Sequence, residues 1–194
     1  MSQQLMHKPL IKREHLKQPL TYKSYLKMAM VEFSKMGKSV FIGYNLKFGS
    51  QMYETLKDVP KDKILETPLA ENLMMGLGVG MSLRGYKPMV IFERHDFVLD
   101  ALDQIVNHAD KMVRLSDGQF RTPVVIRAIV GAQKPLFPGV QHIQDYTAAI
   151  KRMVSFPVIP LEKAGDILPA YDLAMKTDNP IMLVEWRDSY VLEI

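Results

Sequence analysis

Cysteine is missing altogether from the 194 residues, and tryptophan occurs once. Without a thiol the chain has no disulfide framework, no thiolate nucleophile and no sulfur ligand for a metal. That composition suits a reducing compartment, so a cytoplasmic protein is expected. No apolar run approaches the ~20 residues of a membrane-spanning helix, which argues against a membrane partner. Internal repeats and low-complexity tracts are also lacking.

A broad basic surface is the next absence. The formal net charge is +4, but residues 1–30 hold Lys8, Lys12, Arg13, Lys17, Lys23 and Lys27 against Glu14 alone. The remaining 164 residues carry 19 basic and 20 acidic side chains. The excess charge therefore sits in an N-terminal arm and not along a groove, so no nucleic-acid partner is expected. Residues 1–19 are polar, contain Pro9 and Pro19, show no period and lack the apolar centre of a signal peptide. They read as a loosely ordered basic arm before one domain over 20–194.

What is present is a regular alternation of short apolar runs and amphipathic segments. Ser39–Gly43, Lys63–Glu66, Lys87–Phe92, Pro123–Ile129, Pro157–Pro160 and Ile181–Glu185 read as strands. Helical spacing runs from Tyr22 to Met36 behind Thr21, from Val98 to Val113 in about five turns, and from Gln144 to Val154. A further helix ends near Lys176, with Pro169 expected in its first turn. Gly131 to Gln141 is a loop rich in Gly and Pro. Strand and helix alternate throughout, so the fold class is α/β: a three-layer sandwich with a mostly parallel sheet of about six strands between helices.

The most informative stretch is Thr67 to Met81. Thr67 reads as an N-cap, Pro68 as the first helical residue, and Glu71 as a first-turn acid favoured by the macrodipole. Gly76, Gly78 and Gly80 follow, at a combined cost of about 3 kcal/mol relative to alanine. Gly76 and Gly80 share a face that would admit another backbone. These glycines lie within a helix, not in a strand-to-helix turn, so a dinucleotide-binding fingerprint is rejected. The residues alone leave two readings open, a solvated acid on a packed helix or a carboxylate in a site. In a parallel sheet ligands gather beyond the carboxyl ends of strands, where Glu71, His95, Gln133 and His142 fall.

The blocks "ETPLAENLMMGLGVGMSLRGYKPMVIF", "DALDQIVNHADKM", "TPVVIRAIVGA" and "QHIQ" resemble the transketolase-like pyrimidine-binding domain, in particular the N-terminal domain of the beta subunit of the 2-oxoacid (pyruvate or branched-chain) dehydrogenase first component. The resemblance runs from about Leu20 to about Glu185. It implies thiamine diphosphate as cofactor and a carbon–carbon cleavage next to a carbonyl, in an oxidoreductase component or a transketolase-like transferase. Glu71 matches the catalytic glutamate that shares a proton with the cofactor's aminopyrimidine ring. Phe92 and His95 fall where ring-contacting aromatics follow the third strand, His95 standing in for a phenylalanine. His142 matches the catalytic histidine of an "HSQ" loop; Ile143 replaces the serine and Gln144 keeps the glutamine. Asp103, Gln104 and Asn107 match a polar triplet expected at a subunit contact, and no role is implied for Gln133.

Three features bear on this transfer. The loop after the first strand, Gly43-Tyr44-Asn45-Leu46, lacks the acid that usually follows the glycine. The diphosphate–magnesium motif and the C-terminal transketolase-type domain are both missing from the sequence, and no metal ligands are assigned. The implied arrangement is a pyrimidine-binding subunit of a split enzyme. An alpha-type partner would supply the magnesium-diphosphate site, and self-association is expected. The alternative is a non-catalytic relative serving as an interaction or scaffold module.

Overall fold

The structure, a computed structural model, describes residues 21–134 and 137–191; the expected N-terminal arm lies outside them. Six strands form one all-parallel sheet: β1 (Ser39–Gly43), β2 (Ile64–Glu66), β3 (Lys87–Phe92), β4 (Val125–Val130), β5 (Val158–Pro160) and β6 (Ile181–Trp186), in the order β2-β1-β3-β4-β6-β5. β1, β3 and β4 are buried at every position, as expected of strands covered on both faces.

Helices α1 (Tyr22–Ser34) and α5 (Ala164–Lys176) cover one face, with Leu26, Phe33, Ile167 and Tyr171 packed on Phe41, Met89 and Leu183. On the other face α2 (Glu71–Leu83) and the segment from His95 to Leu115 pack Met74, Met75, Val98 and Ile105 on Ile42, Val90 and Ile126. The short helices α3 (Met112–Leu115) and α4 (Thr147–Met153) complete the set.

The expected α/β sandwich is therefore found, with every strand parallel. α1 begins as read: Thr21 Oγ1 accepts from the Ser24 amide at 3.2 Å, and the Ser24 hydroxyl accepts from the Thr21 amide at 2.9 Å, a reciprocal cap.

Three local expectations are corrected. α2 is capped at Ala70, not Thr67: Thr67 still extends the β1–β2 ladder, its amide donating to the Gly43 carbonyl at 2.9 Å, and its hydroxyl accepts from no helix amide among the described residues. Glu71 is consequently the first residue of the helix. The five-turn helix over 98–113 is instead a 3₁₀ segment (His95–Ala101), a π-helical turn (Gln104–Ala109) and α3. Its apolar spacing is kept while the hydrogen-bond register shifts. Pro169 lies in the second turn of α5, not the first; the carbonyl facing its ring belongs to Gly165, which has no Cβ and nothing crowding it.

Candidate functional site

From β1 the chain crosses outward to β2, and from β3 it crosses the other way to β4. The carboxyl ends of β1 and β3 therefore flank a switch point, where open α/β sheets leave a crevice. The loops around it are tied to one another. Glu66, ending β2, accepts from the amides of Leu46 at 3.1 Å and Lys47 at 2.7 Å. Glu93, just beyond β3, accepts from Asn45 Nδ2 and Ser50 Oγ, each at 3.4 Å.

Glu71 stands at the mouth of α2 and is only 8% exposed. Among the described residues none donates a hydrogen bond to its carboxylate. Tyr44, just beyond β1, feels the charge of Glu71 but hydrogen-bonds Glu93. Burial, together with the charges of Glu93 and Glu71, pushes the Tyr44 phenol up to about 12, so it remains a donor at neutral pH.

Phe92 is 1% exposed and lies in the core under α2. His95 is fully buried; its Nδ1 accepts the Tyr146 amide at 3.1 Å. In this structure both rings expected at a cofactor surface are interior. His142 is half-buried at the end of a 3₁₀ turn (Val140–His142), edge-on to Phe97 with centroids 5.4 Å apart, and its Nδ1 is buried without a partner among the described residues. Gly131, beyond β4, lies under this turn so closely that an added Cβ would sit 1.7 Å from the His142 carbonyl oxygen. Gln133 is an exposed loop amide. Asp103 and Asn107 are exposed and Gln104 is half-buried. Asp103 accepts from Asn107 at 2.8 Å and from Gln104 at 3.4 Å.

The glycines of α2 divide by surroundings. A Cβ on Gly78 would meet Val90 Cγ2 at 2.5 Å, one on Gly76 would meet Gln104 Oε1 at 3.3 Å, and one on Gly80 would meet nothing within 4 Å. The close approach within the chain is thus at Gly78, against the sheet, and Gly80 is open.

Sequence reasoning missed a second cluster at the same end of the sheet, on the face covered by α1 and α5. Gln51, Met52, Tyr53 and Glu54 have φ of 45°, 49°, 53° and 65°, a left-handed turn costing roughly 1–2 kcal/mol per residue. Buried Met52 and Thr55 anchor it, Thr55 Oγ1 accepting from Arg127 Nη1 at 3.0 Å. The turn places the Tyr53 ring between Arg94 at 5.4 Å and Arg187 at 4.4 Å. No carboxylate pairs with either guanidinium among the described residues, and Tyr53 Oη and Arg94 Nε are buried without partners. Burial, reinforced by Arg187, holds the Arg94 pKa below its usual value. No local signal marks a left-handed run of four residues that are not glycine; only the position of Arg94 and Arg187 just past strands hinted at it.

Comparison with known proteins agrees with this geometry. The family model described as "Transketolase, pyrimidine binding domain" matches residues 18–191. The pyruvate dehydrogenase E1 component subunit beta of Rhizobium meliloti is 29% identical over 171 residues, covering 86% of this chain and 37% of the relative. The Rickettsia conorii subunit of the same name is 33% identical over 123 residues, 63% of this chain and 37% of that protein. The mitochondrial subunit of Caenorhabditis elegans is 29% identical, with 48% of its length covered. The chain thus spans half or less of these curated relatives. Among solved structures, a chain titled "Split gene transketolase, inactive beta4 tetramer" superposes with a TM-score of 0.69 at 18% identity, covering 91% of this chain and 54% of that one, a likeness of fold.

Proposed function

Since this chain belongs to the transketolase pyrimidine-binding domain family, we propose that it is the pyrimidine-binding subunit of a split thiamine diphosphate-dependent enzyme. Its reaction class is cleavage of a carbon–carbon bond beside a carbonyl in a 2-oxo acid or a ketose. The observation that carries the reading is Glu71, an acid only 8% exposed at a helix mouth beside the switch-point crevice, to whose carboxylate none of the described residues donates.

The fit is to half a cofactor. Glu71 would accept a ring N–H of the aminopyrimidine, since none of the described residues donates to its carboxylate. Tyr44, protonated at neutral pH, hydrogen-bonds Glu93 rather than Glu71, which leaves the Glu71 oxygens to a ligand. When bound, the cofactor supplies the electron sink for the carbanion left by cleavage. Phe92 and His95 would shape the crevice from behind, and His142 would face substrate from the loop beyond β4. The magnesium-diphosphate half is assigned to an alpha-type partner chain. The neighbour described as an inactive tetramer of beta chains supports self-association together with the need for a second kind of subunit. A cytoplasmic setting is part of the proposal; among the described residues no helix is long and apolar enough to cross a membrane.

The test is reconstitution with the partner chain. Glu71→Ala should abolish turnover while leaving the circular dichroism spectrum unchanged, and the isolated chain should show negligible thiamine diphosphate binding by calorimetry. Undiminished turnover would rule out the role of Glu71. The second reading, a non-catalytic interaction module, is favoured by Tyr44-Asn45 in place of an acid. It predicts a stable complex with no cofactor dependence.

A further inference from the structure

The turn that leaves β3 does more than end a strand. Three consecutive residues each engage the segment that carries His142. His95 Nδ1 accepts the Tyr146 amide at 3.1 Å, Asp96 Oδ1 accepts the Gln144 amide at 3.3 Å, and Phe97 packs edge-on against the His142 ring at 5.4 Å. Gly131 backs the same segment from β4, its missing Cβ leaving room for the His142 carbonyl. His95 is fully buried and Asp96 is 8% exposed. Two polar side chains have thus been taken from water to accept main-chain N–H groups of one surface segment, an arrangement that costs free energy unless those bonds are kept.

We infer that His95 and Asp96 are positioning residues that mount His142 at the strand ends, and that the mount releases when His95 takes up a second proton. The His142 part rests on the function proposed above; the mount itself does not. The reason for release is local. Accepting the Tyr146 amide requires a bare lone pair on Nδ1, so the neutral ring carries its proton on Nε2. A proton on Nδ1 sets two donors face to face and breaks the bond.

The groups bearing on that proton are Asp145, whose Oδ1 is 3.6 Å from Nδ1, and Asp96, with the Tyr146 ring 6.2 Å away. The two carboxylates and the Gln144 main-chain carbonyl favour the cation and burial opposes it. Burial prevails, holding the His95 pKa below the usual imidazole value. The mount is therefore closed at neutral pH and opens as the medium becomes acidic.

Amide hydrogen exchange of the full chain, followed residue by residue by NMR and corrected for intrinsic rates, tests this directly. At neutral pH the Gln144 and Tyr146 amides should be protected. On acidification Tyr146 should lose about tenfold, as expected for one hydrogen bond, while core amides in β4 are unchanged. His95→Asn, which keeps an acceptor but does not titrate, should retain Tyr146 protection in acid. His95→Phe should lose it at every pH, and Asp145→Asn should move the transition to lower pH. Protection of Tyr146 that ignores pH in the native chain, or survives in His95→Phe, would overturn the inference. Should the phenylalanine variant fail to fold, His95→Asn still decides: a native-like acid loss in that variant would sink it. Because the readout is exchange and not turnover, its failure is distinct from failure of the thiamine assignment.

Discussion

Two alanine substitutions, about 3 Å apart along one helix, should differ in their effect on stability. Gly78 and Gly80 both lie inside α2, where glycine costs about 1 kcal/mol relative to alanine. A Cβ on Gly80 has nothing within 4 Å, so Gly80→Ala should return that whole amount. A Cβ on Gly78 would stand 2.5 Å from Val90 Cγ2. Val90 is fully buried in the central strand β3, and its β-branched side chain has few rotamers to escape into. Overpacking of this kind costs about 1–3 kcal/mol, so after the propensity gain Gly78→Ala should be neutral to about 2 kcal/mol destabilising. At about 2–4 °C per kcal/mol for a domain of this size, Gly80→Ala should melt a few degrees higher and Gly78→Ala up to several degrees lower. Thermal and urea unfolding monitored by circular dichroism measures both. Equal stabilisation by the two alanines would show that α2 does not approach the sheet as described.

The buried pair on β4 and β6 should be costly to break from one side. Arg127 makes a bidentate contact with Glu185 at 2.8 and 2.9 Å, and Glu185 also accepts from Tyr171 at 2.8 Å, all within the core. Arg127→Met should cost about 3–5 kcal/mol, and adding Glu185→Leu should recover much of it; a single-variant loss below about 1 kcal/mol in urea unfolding would contradict this. Lys87 is buried at the start of β3, its Nζ donating to the Thr177 carbonyl, and burial brings its pKa down to about 8. The unfolded chain keeps that proton to higher pH, so stability should rise from about pH 8 upward. Tyr44, whose folded-state pKa is raised instead, opposes this once the unfolded phenol ionises near pH 10. Urea midpoints at successive pH values should show the rise in the native chain and lose it in Lys87→Met.

Legibility in the sequence followed the range of the interactions involved. β1 and β3 were readable to the residue because a run of apolar side chains bounded by turn residues is sufficient to define a strand buried on both faces. Glu71 was readable as a first-turn acid. Thr67 was misread because it still extends the β1–β2 ladder, its amide donating to Gly43 on another strand, and a capping pattern cannot register a strand partner from elsewhere. The spacing of Gly76 and Gly80 suggested the face of closest approach, yet the tight contact is at Gly78, set by where Val90 lies. His95 was placed correctly beyond β3, but its burial depends on the 144–146 segment folding back over it.

By itself, then, the amino-acid order determined the layering, the strands and the presence of an acid at the mouth of α2, since these follow from hydrophobic period and local backbone preference. Tertiary structure alone decided the partners of polar groups. Arg127 meets Glu185 across 58 residues, and His95 meets Tyr146 across 51. Such pairings are chosen by which loops and strands become neighbours when the sheet assembles, and a buried donor or acceptor must take whatever complement that assembly brings within reach.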